Sequence, residues 1–250
     1  MTRFHITLFT TALLGGLAVM MNSFVFFIVL LGLFLLITGL GVGFPQLSFF
    51  GPFICRGGMD ERRVALTFDD GPDARSTPIL LDLLRDEKIE ATFFCVGKCV
   101  AANPELTARI VREGHLIANH TYNHSLVTNC FGAARLREEM TQTQAILQAT
   151  TGVTPWWFRP PMGFSNPRIF RVARELGLGV IGWQARGIDT KIKNSQRVVQ
   201  RIMGQVSPGA IILLHDGNIP ADRLAATMKL LLANLREQGY GVVRLDKLLK

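Results

Sequence analysis

The distribution of charge along the chain restricts the fold more than any other feature of the sequence. No Asp, Glu, Lys or Arg occurs between Arg3 and Arg56, whereas residues 56–250 carry all 19 acidic residues and all but one of the 27 Lys and Arg. A soluble helix pair needs a polar face, and this stretch has almost none. The sequence therefore predicts two parts, an apolar membrane anchor at 1–55 and a globular domain at 56–250.

The anchor contains two apolar runs, residues 6–21 and 24–44, separated by Asn22-Ser23. A helix needs about 20 residues to cross the ~30 Å hydrocarbon layer of a bilayer, and the second run meets this by itself. One continuous helix over both runs would be about twice too long, since each residue adds about 1.5 Å. We therefore expect a hairpin of two transmembrane helices. A single span and a cleaved signal peptide are the alternatives, and the latter lacks a small-residue cleavage site.

Positive charges flank the anchor at both ends, with Arg3 on one side and Arg56, Arg62 and Arg63 on the other. A hairpin would bring these residues to the same side of the lipid bilayer. The positive-inside rule then favours the cytoplasmic face of a bacterial-type inner membrane. A single span would instead place the domain on the opposite side from the N-terminus.

Strand-like and helix-like segments alternate through the globular domain. The predicted strands are 63–68, 91–96, 115–119, 156–159, 178–183, 210–214 and 241–245, and the predicted helices are 76–88, 104–113, 133–150, 167–176, 195–206 and 221–238. Such alternation predicts a mainly parallel sheet wrapped by helices. The expected fold class is therefore α/β, a (β/α) barrel of about seven strands, with a flat doubly wound sheet as the alternative. A dinucleotide-binding fold is disfavoured because no Gly-x-Gly-x-x-Gly follows the first strand.

The globular domain is basic, since it holds +7 of the chain's net charge of +8. Beside a membrane segment, a basic surface suits anionic lipid head groups or phosphate-bearing substrates. Nucleic acid is the other common partner of basic proteins, but the sequence contains no zinc-finger, basic-zipper or RNA-binding signature. We therefore expect no nucleic-acid partner.

Ionisable residues directly follow several of the predicted strands. They are Asp69, Asp70, His120, His124, Arg159, Asp189, His215 and Asp216. The carboxyl ends of barrel strands meet at one rim, so these side chains are expected to converge there. Two histidines four residues apart and a separate carboxylate are typical of a three-ligand zinc site, and such donors also suit Co, Ni, Mn or Fe. A bound metal, with a further carboxylate as base and a further histidine as acid, would support hydrolysis.

Five short segments at these strand ends resemble the motifs of the NodB-type polysaccharide deacetylases, carbohydrate esterase family 4. The segments are Thr67-Phe68-Asp69-Asp70-Gly71-Pro72, His120-Thr121-Tyr122-Asn123-His124, Arg159-Pro160-Pro161-Met162-Gly163, Trp183 to Asp189, and Leu213-Leu214-His215-Asp216. The resemblance covers roughly residues 60–250. The fourth segment departs from the family pattern, because Thr190 stands where a Trp usually follows the terminal Asp.

The resemblance implies a metal-dependent N-deacetylase, usually with zinc, on a distorted α/β barrel. The implied metal ligands are Asp70, His120 and His124. Asp69 would be the general base that activates water, and His215 would be the general acid that protonates the leaving amine. These roles agree with the chemistry expected from the residues themselves.

Five further residues have supporting roles in the resemblance. Arg159 would orient the general base, and Asp189 would pair with the general acid and raise its pKa. The backbone N–H of Met162 would help to hold the oxyanion. Leu214 would line the pocket for the acetyl methyl group, and Trp183 would belong to the sugar-binding wall.

The expected function is removal of the N-acetyl, or another N-acyl, group from an amino sugar of a glycan. The membrane anchor and the basic domain point to a polyprenyl-phosphate-linked glycan, and the same site would suit formyl groups or O-acetyl esters. A catalytically inactive carbohydrate-binding scaffold is the alternative from another class. A glycosidase is disfavoured, because its two carboxylates must flank one bond whereas Asp69 and Asp70 are adjacent and point apart.

Overall fold

The computed structural model describes residues 1–59 and 61–250. Over these residues, a hairpin of two apolar helices precedes an α/β domain. Seven parallel strands of that domain form one curled sheet, a half-barrel, and an eighth short strand adds to its central strand. The predicted fold class, a distorted barrel of about seven strands behind a helical hairpin, is confirmed.

The hairpin consists of α1 (Arg3–Met20) and α2 (Phe24–Gly43). The helices have 18 and 20 residues, which at 1.5 Å per residue gives about 27 and 30 Å. Their large apolar side chains point outward, so that Phe9 is 68% and Leu35 is 61% exposed. Both helices are therefore long enough and apolar enough to cross a bilayer.

Strands and helices alternate through most of the domain as the sequence predicts. The strands are β1 (Arg63–Asp69), β2 (Thr92–Cys95), β3 (Leu116–Asn119), β4 (Trp157–Phe158), β5 (Gly179–Val180), β6 (Ala185–Arg186), β7 (Ile211–His215) and β8 (Gly241–Val242). The helices are α3 (Thr77–Asp86), α4 (Gly97–Ala102), α5 (Pro104–Arg112), α6 (Ala133–Thr151), α7 (Pro167–Glu175), α8 (Ser195–Met203), α9 (Ala221–Glu237) and α10 (Leu245–Leu248). The sequence does not predict β6, α4 or α10, and the strand predicted over 241–245 ends at Val242.

The sheet has the order β5-β4-β3-β2-β1-β7-β6, and β8 pairs with the beginning of β1. The central strand β1 is buried from Val64 to Asp69. Its side chains alternate between the helices outside and the concave interior. Leu66 and Phe68 belong to the main apolar core under the helices, as the covered outer face of a parallel sheet requires. Thr67 and Asp69 therefore point to the concave side.

One predicted strand is confirmed only over part of its length. The sequence predicts a single strand over 178–183, but only Gly179–Val180 pairs with β4, and the chain re-enters the sheet at the opposite edge as β6. Ile54 pairs with the edge of this segment that faces away from β4, because its N–H donates to the Val180 oxygen and its own oxygen accepts from the Gly182 N–H, both at 2.9 Å. The half-barrel therefore stays open between β5 and β6.

The end of the hairpin lies against this opening. Ile54 and Arg56 form isolated bridges with Ile181 and Ala210. The side chain of Gln46, in the short 3₁₀ turn that follows α2, donates to the Trp183 backbone oxygen at 3.0 Å. The hairpin is thus joined to the domain by paired backbone, and it meets the domain beside Trp183.

Candidate active site

A cavity of about 610 Å³ lies at the carboxyl ends of the central strands. All ten predicted site residues lie in the described part of the chain, and eight of them line this cavity: Asp69, Asp70, His120, His124, Met162, Trp183, Asp189 and His215. The other two, Arg159 and Leu214, are fully buried behind its wall. The convergence of these side chains follows from the parallel sheet, which brings the strand ends to one rim.

Asp70, His120 and His124 form a compact group of metal-binding donors. The Asp70 Oδ1 atom lies 3.1 Å from His124 Nε2 and 3.5 Å from His120 Nε2. Ligands of one tetrahedral zinc ion, bound at 2.0–2.2 Å, are separated by about 3.3 Å. Within residues 1–59 and 61–250 no other group of His, Cys, Asp or Glu is arranged to hold an ion. These three residues therefore fit a single divalent metal.

The orientation of His120 is fixed by a backbone contact. Its Nδ1–H donates to the Arg159 carbonyl oxygen at 2.7 Å, since a carbonyl can only accept. The other ring nitrogen, Nε2, is therefore the one that faces Asp70. Metal-binding histidines commonly have such a partner, which sets the tautomer and the ring direction.

Glu139 holds the loop between the two histidines, and the sequence analysis did not identify it. Its carboxylate accepts from the backbone N–H groups of Tyr122 and Asn123 at 3.0 and 2.8 Å, and from the Asn123 side chain at 2.8 Å. Glu139 is only 1% exposed. A signal was present in the sequence, because Glu139 interrupts the buried stripe of α6 that includes Leu136 and Met140.

Backbone strain is concentrated around the cavity. Across the described residues, nine non-glycine residues have positive φ, and six lie in segments around the cavity: Asp70, Thr121, His124, Met162, Ile188 and Asn218. Left-handed backbone at such residues costs on the order of 1–3 kcal/mol each, and it is most unusual for a β-branched residue such as Ile188. The surrounding structure must therefore impose these conformations, which aim the site's side chains.

The candidate base, Asp69, is held by Arg159. Asp69 is 4% exposed, and its Oδ1 accepts from Arg159 Nη1 at 2.6 Å. Arg159 also donates to Thr67 Oγ1 and to the Gly182 oxygen, both at 2.9 Å. With Oδ1 fixed in this way, Oδ2 faces the metal-binding group, 3.7 Å from His120 Nε2. The contacts of Arg159 therefore hold the Asp69 carboxylate in one orientation.

The candidate acid, His215, is paired with Asp189. The His215 Nδ1–H donates to Asp189 Oδ1, and its backbone N–H donates to Oδ2, both at 2.9 Å. Burial by itself lowers the pKa of His215, but the hydrogen bond and negative charge of Asp189 outweigh burial and raise it to about 9. His215 therefore keeps its proton at neutral pH.

The two histidines of the metal-binding side differ, because burial lowers the pKa of His120 but the carboxylates of Asp69 and Asp70 outweigh it and raise that pKa, whereas the pKa of His124 is lowered. Burial and the neighbouring His120 lower the pKa of His124 to about 4. Burial alone would raise the pKa of Asp70, but the hydrogen bond and charge of His120 reverse this and hold it well below its usual range. A neutral imidazole and an ionised carboxylate are the forms that bind a metal.

The structure corrects the placement of Leu214. This residue is 0% exposed and belongs to the main core, whereas Leu213 lines the cavity. The reason is that successive side chains of a strand point to opposite faces, so the residue two before His215 shares its side of the sheet. The hydrophobic contact predicted for Leu214 therefore falls to Leu213.

Met162 and Trp183 lie on the wall of the cavity, as the resemblance implies. Met162 is 50% exposed, with a φ of 59°. Trp183 is 3% exposed and packs on Gly163, where a Cβ atom would lie 2.1 Å from the indole. Thr190, which stands where the family usually has Trp, also lines the cavity.

Asp216 supports the Asp69–Gly71 turn from beneath. Its backbone N–H donates to the Asp69 oxygen at 3.1 Å, and its Oδ2 accepts from Thr77 Oγ1 at 2.6 Å. Burial raises the pKa of Asp216 to about 7. A Cβ atom at Gly71 would lie 2.1 Å from the Asp216 carboxylate, so only glycine fits there. The position of Asp216 at this strand end does not by itself indicate a role.

A profile of the polysaccharide deacetylase family matches residues 56–181. A peptidoglycan-N-acetylglucosamine deacetylase of Bacillus cereus is 35% identical over 193 residues, which are 76% of this chain and 90% of that protein. The chain belongs to the polysaccharide deacetylase family. The family predicted from the five motifs is thereby confirmed.

Two further members of the polysaccharide deacetylase group show its range. A chitooligosaccharide deacetylase of Bradyrhizobium is 37% identical over 166 residues, covering 66% of this chain and 76% of that protein. The crystal structure of a carbohydrate esterase family 4 pseudoenzyme from Bacillus anthracis superposes with a TM-score of 0.73 at 28% identity. This match covers 80% of the present chain and 69% of the pseudoenzyme.

Proposed function

We propose that this chain is a membrane-anchored, metal-dependent hydrolase that removes the N-acetyl group from an amino sugar of a glycan, with N-acetylglucosamine as the expected sugar. One observation carries the proposal. A complete metal-binding group lies in one cavity, with a fixed carboxylate on one side and a carboxylate-paired histidine on the other. The names of the two deacetylase relatives, which concern peptidoglycan N-acetylglucosamine and chitooligosaccharides, support this substrate class.

An amide resists hydrolysis because its carbonyl is weakly electrophilic, water is a weak nucleophile and an amine leaves poorly. Asp70, His120 and His124 would hold the metal, expected to be zinc, with Co, Ni, Mn or Fe as alternatives. When bound, such an ion polarises a carbonyl and lowers the pKa of water. The other two obstacles are left to the protein's own acid and base.

Asp69 and His215 would carry out the two proton transfers. Asp69 Oδ2 faces the metal-binding group, where it would accept a proton from the attacking water. His215 has its Nδ1–H committed to Asp189, so its Nε2–H is the proton available to the leaving nitrogen. A pKa near 9 keeps that proton in place at neutral pH. The backbone at Met162 would assist by donating to the developing oxyanion.

The proposal is tested by acetate release from purified, metal-loaded full-length protein in detergent. Chitooligosaccharides and N-acetylated peptidoglycan fragments are the substrates, and Asp69→Asn is the inactive comparison. Asp86→Asn removes an exposed carboxylate on α3 and serves as the matched control. Release by wild type and Asp86→Asn, but not by Asp69→Asn, is expected. No release from any substrate, as for a pseudoenzyme, would favour the carbohydrate-binding scaffold and overturn the proposal.

The membrane anchoring rests on the arrangement of the hairpin ends. Arg3 Nη1 donates to the Leu47 oxygen at 2.8 Å, and the Phe4 N–H donates to the Phe49 oxygen at 3.0 Å. The start of α1 and the end of α2 thus lie together beside the domain, as two antiparallel membrane spans require. With positive charge on that side, the domain would face the cytoplasm at the inner membrane. Reporter fusions at the C-terminus test this, because a periplasmic C-terminus would contradict the cytoplasmic orientation.

A lipid-linked glycan, such as a polyprenyl-phosphate sugar, is the more specific substrate that we propose. Arg186 lines the cavity with its guanidinium 5.5 Å from the Trp183 ring, and no carboxylate of the described chain pairs with it. A half-buried, unpaired arginine suits a phosphate ligand. Because Gln46 contacts the Trp183 backbone, the membrane end of α2 adjoins the same wall.

The lipid-linked substrate is tested by comparing two substrates in one detergent, a polyprenyl-phosphate N-acetyl sugar and a free chitooligosaccharide. We expect Arg186→Gln to raise KM for the phosphate-bearing substrate by about 10-fold or more, as loss of a charged hydrogen bond predicts. The free oligosaccharide should be unaffected. Comparable wild-type rates on both substrates would overturn the proposal of a lipid-linked substrate. They would not contradict the proposed deacetylase activity.

A further inference from the structure

A second cavity, of about 710 Å³, lies between the base of the hairpin and α7. It shares no lining residue with the catalytic cavity. Thr2 and His5, at the start of α1, form one wall, and α7 forms the other. Its position is therefore the junction of the anchor and the domain.

Three arginines of α7 line this cavity: Arg168, Arg171 and Arg174. Because they are spaced by three residues, they lie along one face of the helix. Arg171 is 3.9 Å from Glu175, and neither of the other two forms an ion pair with any described residue. The lining residues of the described chain include no Asp or Glu. The cavity is thus a concave surface with three arginines, two of them without an ion pair among the described residues, which suits a phosphate group.

The rest of the lining is apolar. Phe50, Pro52 and Ile54 contribute from the segment that follows the hairpin, and Phe170 contributes from α7 between the arginines. Phe170 is held edge-on against Phe53, with ring centroids 5.1 Å apart. A cationic side facing an apolar side matches a molecule that has a phosphate joined to hydrocarbon.

The level of the cavity relative to a bilayer follows from the hairpin. Thr2 is the N-cap of α1 and His5 lies in its first turn, so both are at the end of the apolar span. If the hairpin crosses the bilayer as proposed above, this cavity lies among the lipid head groups of the leaflet that faces the domain.

We propose that the α7 cavity binds the phosphate of an anionic phospholipid of that leaflet, with the start of its acyl chains against Phe50 and Phe170. The bound lipid would fix the domain against the membrane surface. This inference rests on the proposed membrane anchoring but not on the deacetylase activity. Its ligand is a bilayer phospholipid rather than the substrate, because the cavity is separate from the catalytic one.

The test is lipid retention by the full-length protein in detergent, measured by native mass spectrometry after phosphatidylglycerol or phosphatidylcholine is added. The test variant combines Arg168→Gln, Arg171→Gln and Arg174→Gln. The control combines Arg112→Gln, Arg197→Gln and Lys229→Gln, which remove the same charge from exposed positions elsewhere. We expect wild type and control to retain phosphatidylglycerol, and the test variant to retain it at least about 10-fold less.

Equal retention of phosphatidylglycerol by the test variant, or equal retention of phosphatidylcholine by wild type, would overturn the inference. Displacement of the lipid by millimolar inorganic phosphate would also overturn it, since that result indicates a simple anion site. Acetate release from chitooligosaccharide by the test variant would show that the variant is folded. The same measurement separates failure of the lipid-binding inference from failure of the proposed deacetylase activity. Extraction of the protein from membranes by alkaline carbonate would disprove the anchoring on which the inference depends.

Discussion

Two histidines on opposite sides of the catalytic cavity, His124 and His215, have pKa values that are shifted in opposite directions. On the metal-binding side, burial and a neighbouring imidazole bring the pKa of His124 down to about 4. On the other side, Asp189 brings the pKa of His215 up to about 9. The same residue type is thereby made neutral on one wall and protonated on the other, within one cavity.

The difference lies in how many carboxylate oxygens each histidine receives. His124 faces one oxygen of Asp70, which it shares with His120, and the two rings are 4.9 Å apart, so that two positive charges would repel. His215 receives both oxygens of Asp189, one at the ring and one at the backbone. A ligand must be neutral and an acid must be protonated, so the surroundings of His124 and His215 suit these two roles.

Removing a ligand from the metal-binding side should have the largest effect. We expect His124→Ala to lose the metal and to fall to the activity that remains in wild type after chelation. Added zinc should restore the chelated wild type but not the variant, as metal analysis and acetate release would show. His5→Gln, an exposed histidine outside the catalytic cavity, is the control. Full activity in His124→Ala would mean that the metal-binding side is structural.

The next largest effect is expected from the base between the two sides. Asp69→Asn keeps the shape of the side chain and an oxygen for Arg159, but it removes the group that accepts the water proton. General-base catalysis typically contributes about 10²–10⁴-fold, so kcat should fall by that factor. Metal content should be unchanged. Loss of metal together with activity would show that Asp69 is a ligand instead.

The acid side predicts a pH dependence. Because the pKa of His215 is raised to about 9, the protonated form persists at neutral pH, and activity should decline as the pH rises through about 9. Asp189→Asn should move this decline towards the ordinary histidine value near 6.5. At pH 8 the protonated fraction, and with it the rate, would then fall about 30-fold. A rate profile whose alkaline limb does not move would contradict the role of Asp189.

The smallest effect is expected from Glu139, which holds the loop between the two metal-binding histidines. Glu139→Gln replaces an acceptor of two backbone N–H groups with a weaker one, so the loop between His120 and His124 should loosen. Loss of such outer partners typically costs about 10–100-fold in metal affinity. Activity at saturating metal should change little. Glu138→Gln, the exposed neighbour that pairs with Arg135, is the matched control. Unchanged metal affinity in Glu139→Gln would show that the loop holds its shape without this carboxylate.

Much of the fold followed from local patterns in the sequence. The alternation of strands and helices predicted the parallel half-barrel, and polar residues at strand ends predicted the cavity. The segment 178–183 forms a shorter strand than the sequence predicts, and the partner at its other edge is Ile54, far away in the sequence. The pocket position predicted for Leu214 came from its place in the family motif and not from the strand pattern. The alternation of side chains along β7 selects Leu213 instead.

The buried supports of the site were harder to predict. Glu139 stands in the apolar stripe of α6, so its burial could have been read from the helix period, although its partners could not. Left-handed backbone at Asp70, His124 and Ile188 has no glycine to mark it. These conformations are imposed by packing, which no single segment contains.

By itself, the sequence determined the division into an uncharged anchor and a charged domain, the order of strands and helices along the chain, and the residues that meet at the rim. These properties depend on the polarity and spacing of neighbouring residues. Only the tertiary structure decided the opposite protonation of His124 and His215, the hydrogen bond from Arg159 to Asp69, and the arginine-lined cavity beside the hairpin. Each of these properties depends on residues that are far apart in the chain but only a few ångströms apart in space. Electrostatic interactions between such residues are strong only at these short distances.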